Sequence, residues 1–180
     1  MKLHLGCGKR HIPGFIHIDA IDYPHVDHVA TIDNLSFLGD DTVDLIYNCH
    51  VLEHFKRREV AKVLSEWKRV LKPGGILRIS VPDFSSLCEV YKRNGKLEEV
   101  VGALFGRQDY LYNIHYNVFD YASLSKALED LGLENVRRYD WRETEHTEID
   151  DYSQAYIPHM DKEHGLLISL NIECTKPLHP

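Results

Sequence analysis

The sequence contains no apolar run near the roughly 20 residues that a membrane-spanning helix needs, and no charged, apolar and small-residue leader, so a soluble cytoplasmic protein is expected. Its four cysteines, Cys7, Cys49, Cys88 and Cys174, are scattered without a C-x-x-C pair. That spacing builds neither a disulfide framework nor a zinc knuckle, and it fits a reducing compartment. Positive charge is also scarce. With 21 Lys and Arg against 28 Asp and Glu, the chain carries −7, which repels a nucleic-acid backbone, so no nucleic-acid partner is expected. Internal repeats and low-complexity segments are missing as well. What remains is 43% apolar and 27% charged over 180 residues, the composition of a folded protein, and residues 1–180 are expected to form one domain.

The most informative stretch is the first. Leu3 and Leu5 lead into Gly6-Cys7-Gly8, and a second apolar run, Phe15 to Ile18, ends on Asp19-Ala20. This reads as strand, glycine turn, strand, carboxylate. Gly6 and Gly8 permit positive φ and let a ligand approach the main chain, and an acid at the tip of the neighbouring strand can accept the two hydroxyls of a ribose. A dinucleotide fingerprint has a third glycine, a helix and an acid about 20 residues further on. Here Asp19 stands eleven positions after Gly8, and Pro13-Gly14 interrupts the stretch. No helix fits, so the usual pyrophosphate site is missing. A phosphate-free adenosine ligand such as S-adenosylmethionine loses nothing by this, although the crossover is shorter than parallel strands normally use.

Further along, Val26 to Ile32 is expected as a third strand ending on Asp33-Asn34-Leu35, and Thr42 to Tyr47 as a fourth running into Asn48-Cys49-His50. Arg57 to Leu71 places Val60, Val63, Leu64, Trp67, Val70 and Leu71 on one helical face, with Lys72-Pro73-Gly74-Gly75 as its stop and cap. Ile76 to Val81 is the fifth strand, closed by Pro82-Asp83. Two short helices broken at Asn94-Gly95 are expected within residues 84–105, a helix capped by Asp120 runs to Leu131, and Asn135 to Tyr139 and Leu166 to Cys174 complete the strands. Residues 140–151, with six acids and one arginine, read as a solvated loop. Strands alternating with helices argue for an open parallel sheet with covered faces, whose ligands sit at the carboxyl ends of the strands.

Two stretches carry further chemistry. His50-Val51-Leu52-Glu53-His54 matches the H-x-x-E-H pattern, which on a helix would present two zinc-binding imidazoles and a glutamate base. A zinc peptidase is therefore the rival reading. Residues 106–119, GRQDYLYNIHYNVF, have no period and are rich in aromatics. With a hydroxyl acceptor, a base within hydrogen-bond reach is required: His115 is the first choice, Asp109 the second and His50 the third, with His159 and Asp161 as weaker candidates. No resident metal is expected on this reading.

LHLGCG with IHIDA, then DLIYNCHVLEHF, then EWKRVLKPGGILRISVPD together resemble the class I S-adenosylmethionine-dependent methyltransferases. The resemblance implies a Rossmann-like, doubly wound, mostly parallel seven-stranded sheet whose last strand is antiparallel, with a variable helical and loop insertion at about 84–119. It places the cofactor S-adenosylmethionine against Gly6, Cys7 and Gly8, its ribose on Asp19 beside Ala20, its adenine near Asp33, Asn34 and Leu35, and its sulfonium beside Asn48, Cys49 and His50. The departure from the family is the missing first helix, for which Lys9 or Arg10 would meet the amino-acid end. The implied acceptor is a hydroxyl of a small molecule or sugar. A non-catalytic cofactor-binding protein is the third reading.

Overall fold

A computed structural model describes residues 1–179. The strands are β1 (Lys2–Leu5), β2 (Ile16–Asp19), β3 (His28–Val29), β4 (Val43–Cys49), β5 (Leu71–Pro82), β6 (Glu134–Arg138), β7 (Tyr156–Ile157), β8 (Leu166–Leu167) and β9 (Ser169–Thr175). The α-helices are α1 (Val60–Val70), α2 (Phe84–Asn94), α3 (Val101–Phe105) and α4 (Tyr121–Glu129). Seven strands form one sheet in the order β3-β2-β1-β4-β5-β9-β6, and β7 and β8 make a separate small hairpin. Of the seven, β9 alone runs against the rest, pairing antiparallel with β5 and β6. The doubly wound, mostly parallel sheet with an antiparallel last strand is therefore present, and β9 lies inside the sheet next to its edge.

The first crossover is as short as the sequence implies. Strands β1 and β2 pair in parallel with no helix between them. The intervening loop is pinned from within: the Ile12 N–H donates to His17 Nε2 at 2.9 Å, and Ile12 and Phe15 are buried beside Leu45 and Tyr47. The rest of that face is covered from far along the chain, and here the expectation of a solvated loop at 140–151 is corrected. Trp141, Thr144 and His146 are buried. His146 lies 4.1 Å, ring to ring, from Tyr47, Tyr47 Oη donates to Asp151 at 2.6 Å, and Glu145 bridges Lys2 and Arg78. Two acids of this segment, Glu145 and Asp151, pair with side chains of the sheet, which charge counting alone cannot show.

On the opposite face, α1 buries Val60, Val63, Leu64, Trp67 and Val70, each such side chain contributing about 1.5–3 kcal/mol of burial energy. The Trp67 Nε1–H donates to the Ile32 carbonyl at 2.8 Å, fixing the chain after β3. The expected cap at 72–75 is a second correction. The helix ends at Leu71, whose backbone is already extended, and Lys72 to Gly75 belong to β5. Gly74 (φ 77°) and Gly75 make room there: a Cβ on Gly75 would stand 2.9 Å from the Lys72 carbonyl and 3.0 Å from that of Val43, where the β4–β5 register shifts. The third strand is also shorter than expected, two residues instead of seven. The breaks at Gly95 and Gly132 fall where the sequence puts them, both with positive φ, and Asp120 caps α4 in a capping box with Ser123.

Candidate functional site

The strand order reverses at β1, between β2 and β4, the position where sheets of this kind bind ligands. The glycine turn lies at its carboxyl end. Gly6 (φ 64°) donates to the Ile18 carbonyl at 2.8 Å, and a Cβ there would meet Val51 Cγ2 at 2.5 Å. Gly8 (φ 53°) has open space where its Cβ would be. Its N–H donates to Asp19 Oδ2 at 2.8 Å, while the Ile21 N–H donates to Oδ1 at 2.9 Å. Asp19 thus ties the turn to the tip of β2 with one oxygen on each side. Each oxygen keeps a lone pair for a further donor. Ala20 is half-buried beside it. Cys7 points inward, 3.7 Å from His25 Nε2, and burial pushes its thiol up to about 12, so it is not a nucleophile at neutral pH.

The other expected contacts divide. Asp33 is half-buried, with Lys62 Nζ 3.9 Å away, and Asn34 is exposed, its side chain accepting from Ser36. Leu35 is a correction. Its side chain is fully buried in the main core, and its N–H donates to Glu66 at 2.7 Å, so it offers no ligand-facing side chain. Asn48 is another. It lies inside the sheet, paired with Leu5 and Ile79, fully buried and with both amide atoms unpartnered. Cys49 pairs with Ser80 and burial raises its thiol far above the usual range. The first residue beyond β4 is His50, in the left-handed region (φ 53°).

His50 and His54 do not share a helix face, because residues 52–54 form a single 3-10 turn. This removes the geometry on which the zinc-peptidase reading depends. Ser169 Oγ donates to the Tyr152 carbonyl and so accepts from His50 Nε2 at 2.9 Å, leaving His50 Nδ1 as a lone pair 3.6 Å from Glu53 Oε1. His115 is turned inward, its Nδ1 2.8 Å from the Ala103 carbonyl and its Nε2 3.9 Å from Glu53. Burial lowers His50 to about 3 and His115 to about 4, and raises Glu53 to about 8. Burial thus disfavours charge on all three groups. Asp109 is exposed and accepts from Asn113 at 2.5 Å. Its neighbour Tyr110 has its hydroxyl pKa raised by burial and by the charges of nearby Tyr23, Asp109 and Asp19, which places it within electrostatic range of the Asp19 carboxylate. His159 and Asp161 lie in the turn between β7 and β8. Sequence reasoning did not find Tyr152, whose ring lies tilted against His50 at 5.1 Å from a segment about one hundred residues away, or Ser169. No local signal marks either.

Comparison with known proteins bears on this geometry. Residues 12–79 match the family model of the methyltransferase domain. Among solved structures, an S-adenosylmethionine-dependent methyltransferase from Archaeoglobus fulgidus superposes with a TM-score of 0.60 at 18% identity, over 97% of this chain and 85% of that one. The fold is that of the class I S-adenosylmethionine-dependent methyltransferases. This methyltransferase fold is shared with the Burkholderia thailandensis 1,6-didemethyltoxoflavin-N1-methyltransferase, solved with its substrate and S-adenosylhomocysteine (TM-score 0.59, 14% identity, 98% of this chain and 70% of that one). A Haloferax volcanii protein solved in complex with the Trm112 methyltransferase activator has the same fold (TM-score 0.59, 15% identity, 99% and 82%). No curated protein sequence matches the chain. No described helix is long and apolar enough to cross a membrane.

Proposed function

We propose that the chain is an S-adenosylmethionine-dependent methyltransferase acting on a hydroxyl of a small molecule or sugar. The observation that carries the reading is the Asp19 carboxylate, held between the Gly8 and Ile21 N–H groups at the switch point, in a sheet whose methyltransferase-family match covers residues 12–79. The residues fit the cofactor. Gly8 leaves its outer side open, Asp19 keeps two lone pairs for a ribose diol, and Asp33 stands at the end of the following segment for the adenine. When bound, the cofactor supplies an electrophilic methyl group on a sulfonium.

The chain's own part is to align and to exclude water. Tyr110 and the rest of the 106–119 loop roof the cradle. The proton of an acceptor hydroxyl goes to Asp109, the candidate base that stands in the open on this roof. His50 and His115 are instead engaged inside the protein, with Ser169 and with the Ala103 carbonyl, and are not turned toward an acceptor. Calorimetry with S-adenosylhomocysteine tests the reading: saturable binding in wild type, weakened in Asp19→Ala, is expected, and absence of heat at high ligand concentration refutes it.

A further inference from the structure

Glu53 has no exposed surface, and neither of its carboxylate oxygens has a hydrogen-bond partner. Natural interiors rarely leave such a group unpaired. Besides the nearby Glu53 and Val51 backbone N–H groups, the side chains facing it are imidazoles. His115 Nδ1 donates to the Ala103 carbonyl at 2.8 Å, so its Nε2 carries the lone pair, 3.9 Å from Glu53 Oε1. His54 is in a conflicted position: Nδ1 lies 3.1 Å from the Ile114 carbonyl and Nε2 3.1 Å from the His50 carbonyl. A neutral imidazole has one N–H, so one of these contacts sets a lone pair against an oxygen.

We propose that Glu53, His54 and His115 bind a divalent transition-metal ion of the zinc class. One ligand atom from each lies within 4.8 Å of the other two, and among the described residues no other set of three His, Cys, Asp or Glu meets that condition. Two imidazole nitrogens and one carboxylate oxygen form a donor set for zinc, whereas calcium and magnesium want oxygen alone. Tetrahedral ligation at zinc distances brings neighbouring donors to about 3.3 Å, a contraction that side-chain rotation on a turn and a loop can supply. The bond from His115 Nδ1 to a carbonyl is the outer contact that fixes a ligating histidine's tautomer. A cation also resolves the position of His54, since it accepts the lone pair that now meets a carbonyl.

The ion would be a staple. Glu53 and His54 follow the tip of β4, while His115 belongs to the aromatic loop, which already touches the same turn through the Tyr116 and Asn117 N–H groups on the Glu53 carbonyl (2.8 and 3.2 Å). Binding therefore fastens the roof of the cradle to the sheet. The site is distinct from the H-x-x-E-H arrangement, because His50 is turned to Ser169 and the third ligand comes from a different segment. The proposal stands on this cluster alone and does not depend on methyl transfer.

Full-length protein stripped with a chelator and titrated with zinc by calorimetry tests it, with cobalt absorption reporting tetrahedral ligation. One ion per chain is expected, with at least tenfold weaker zinc binding in both Glu53→Gln and His115→Asn. His11→Asn, in the separate histidine group near the amino terminus where His11 stacks on His17, should bind as wild type does. No binding, unchanged affinity in the two core variants, or loss confined to His11→Asn overturns the assignment. Circular dichroism checks each variant. If neither folds, limited proteolysis of wild type decides: zinc is expected to protect residues 106–119 at least severalfold, and an unchanged cleavage rate overturns the proposal.

Discussion

His4 sets a measurable acid limit on the fold. It sits on β1, 2% exposed, ringed by Tyr47 at 5.3 Å, His17 at 5.5 Å and Phe15 at 6.5 Å, with Nδ1 unpartnered. Burial foremost, then the charges His17, His146 and His25 would carry, lower its pKa from 6.5 to about 3. The folded value is depressed, so the contribution is complete above pH 6.5 and is lost as pH falls toward 3, where the unfolded chain is protonated at this position and the native one is not. Each pH unit in that window is worth about 1.4 kcal/mol, so between pH 6.5 and 4.5 His4 alone removes about 3 kcal/mol. His4→Phe keeps a ring in the same packing and cannot titrate. Urea unfolding followed by the fluorescence of Trp67 and Trp141, at pH 7.5 and 4.5, should show the wild type losing about 3 kcal/mol more than the variant. The buried histidines His50 and His115, which do not act on His4, titrate in both proteins and cancel in the difference. Equal losses in the two proteins would refute the argument.

Asp19→Ala removes the acceptor for two backbone N–H groups as well as any ribose contact, and S-adenosylhomocysteine affinity should fall about tenfold or more by calorimetry. Gly6→Ala combines a positive φ with a Cβ placed 2.5 Å from Val51 Cγ2, and should lower stability by at least about 1 kcal/mol more than Gly8→Ala, which shares the φ penalty but meets open space; denaturant midpoints compare them. Asp120→Ala breaks the α4 capping box and should cost about 1 kcal/mol in the same assay with cofactor affinity unchanged.

Most strands of the main sheet and α1 were legible because period and punctuation agree there: apolar runs end on Asp19 and Asp83, and the apolar face of α1 recurs at helical spacing, whereas β3 and the small β7–β8 hairpin are too short to carry a period. The glycine turn and its carboxylate were legible for the same reason, since both elements lie within twenty residues. The 72–75 segment misled because glycines after a helix serve equally as a cap or as relief for a close strand crossing, and only the Val43 carbonyl beside Gly75 decides between them. The 140–151 segment misled more deeply, because its acids look solvated until Lys2, Arg78 and Tyr47 are brought opposite them. His50, Glu53, His54 and His115 were all singled out from the sequence, but not their grouping. The local pattern joined the first three, whereas the fold turns His50 aside and brings His115 in.

A sheet face that a helix in the first crossover would have shielded is closed instead by residues 140–151, through bonds such as Tyr47 to Asp151, 104 positions apart. During synthesis the emerging amino-terminal third must leave Phe15 and Tyr47 bare to water until most of the polypeptide has left the ribosome. Early folding intermediates are thereby exposed to aggregation. Truncation ahead of residue 140 should therefore yield an insoluble product rather than a smaller working domain.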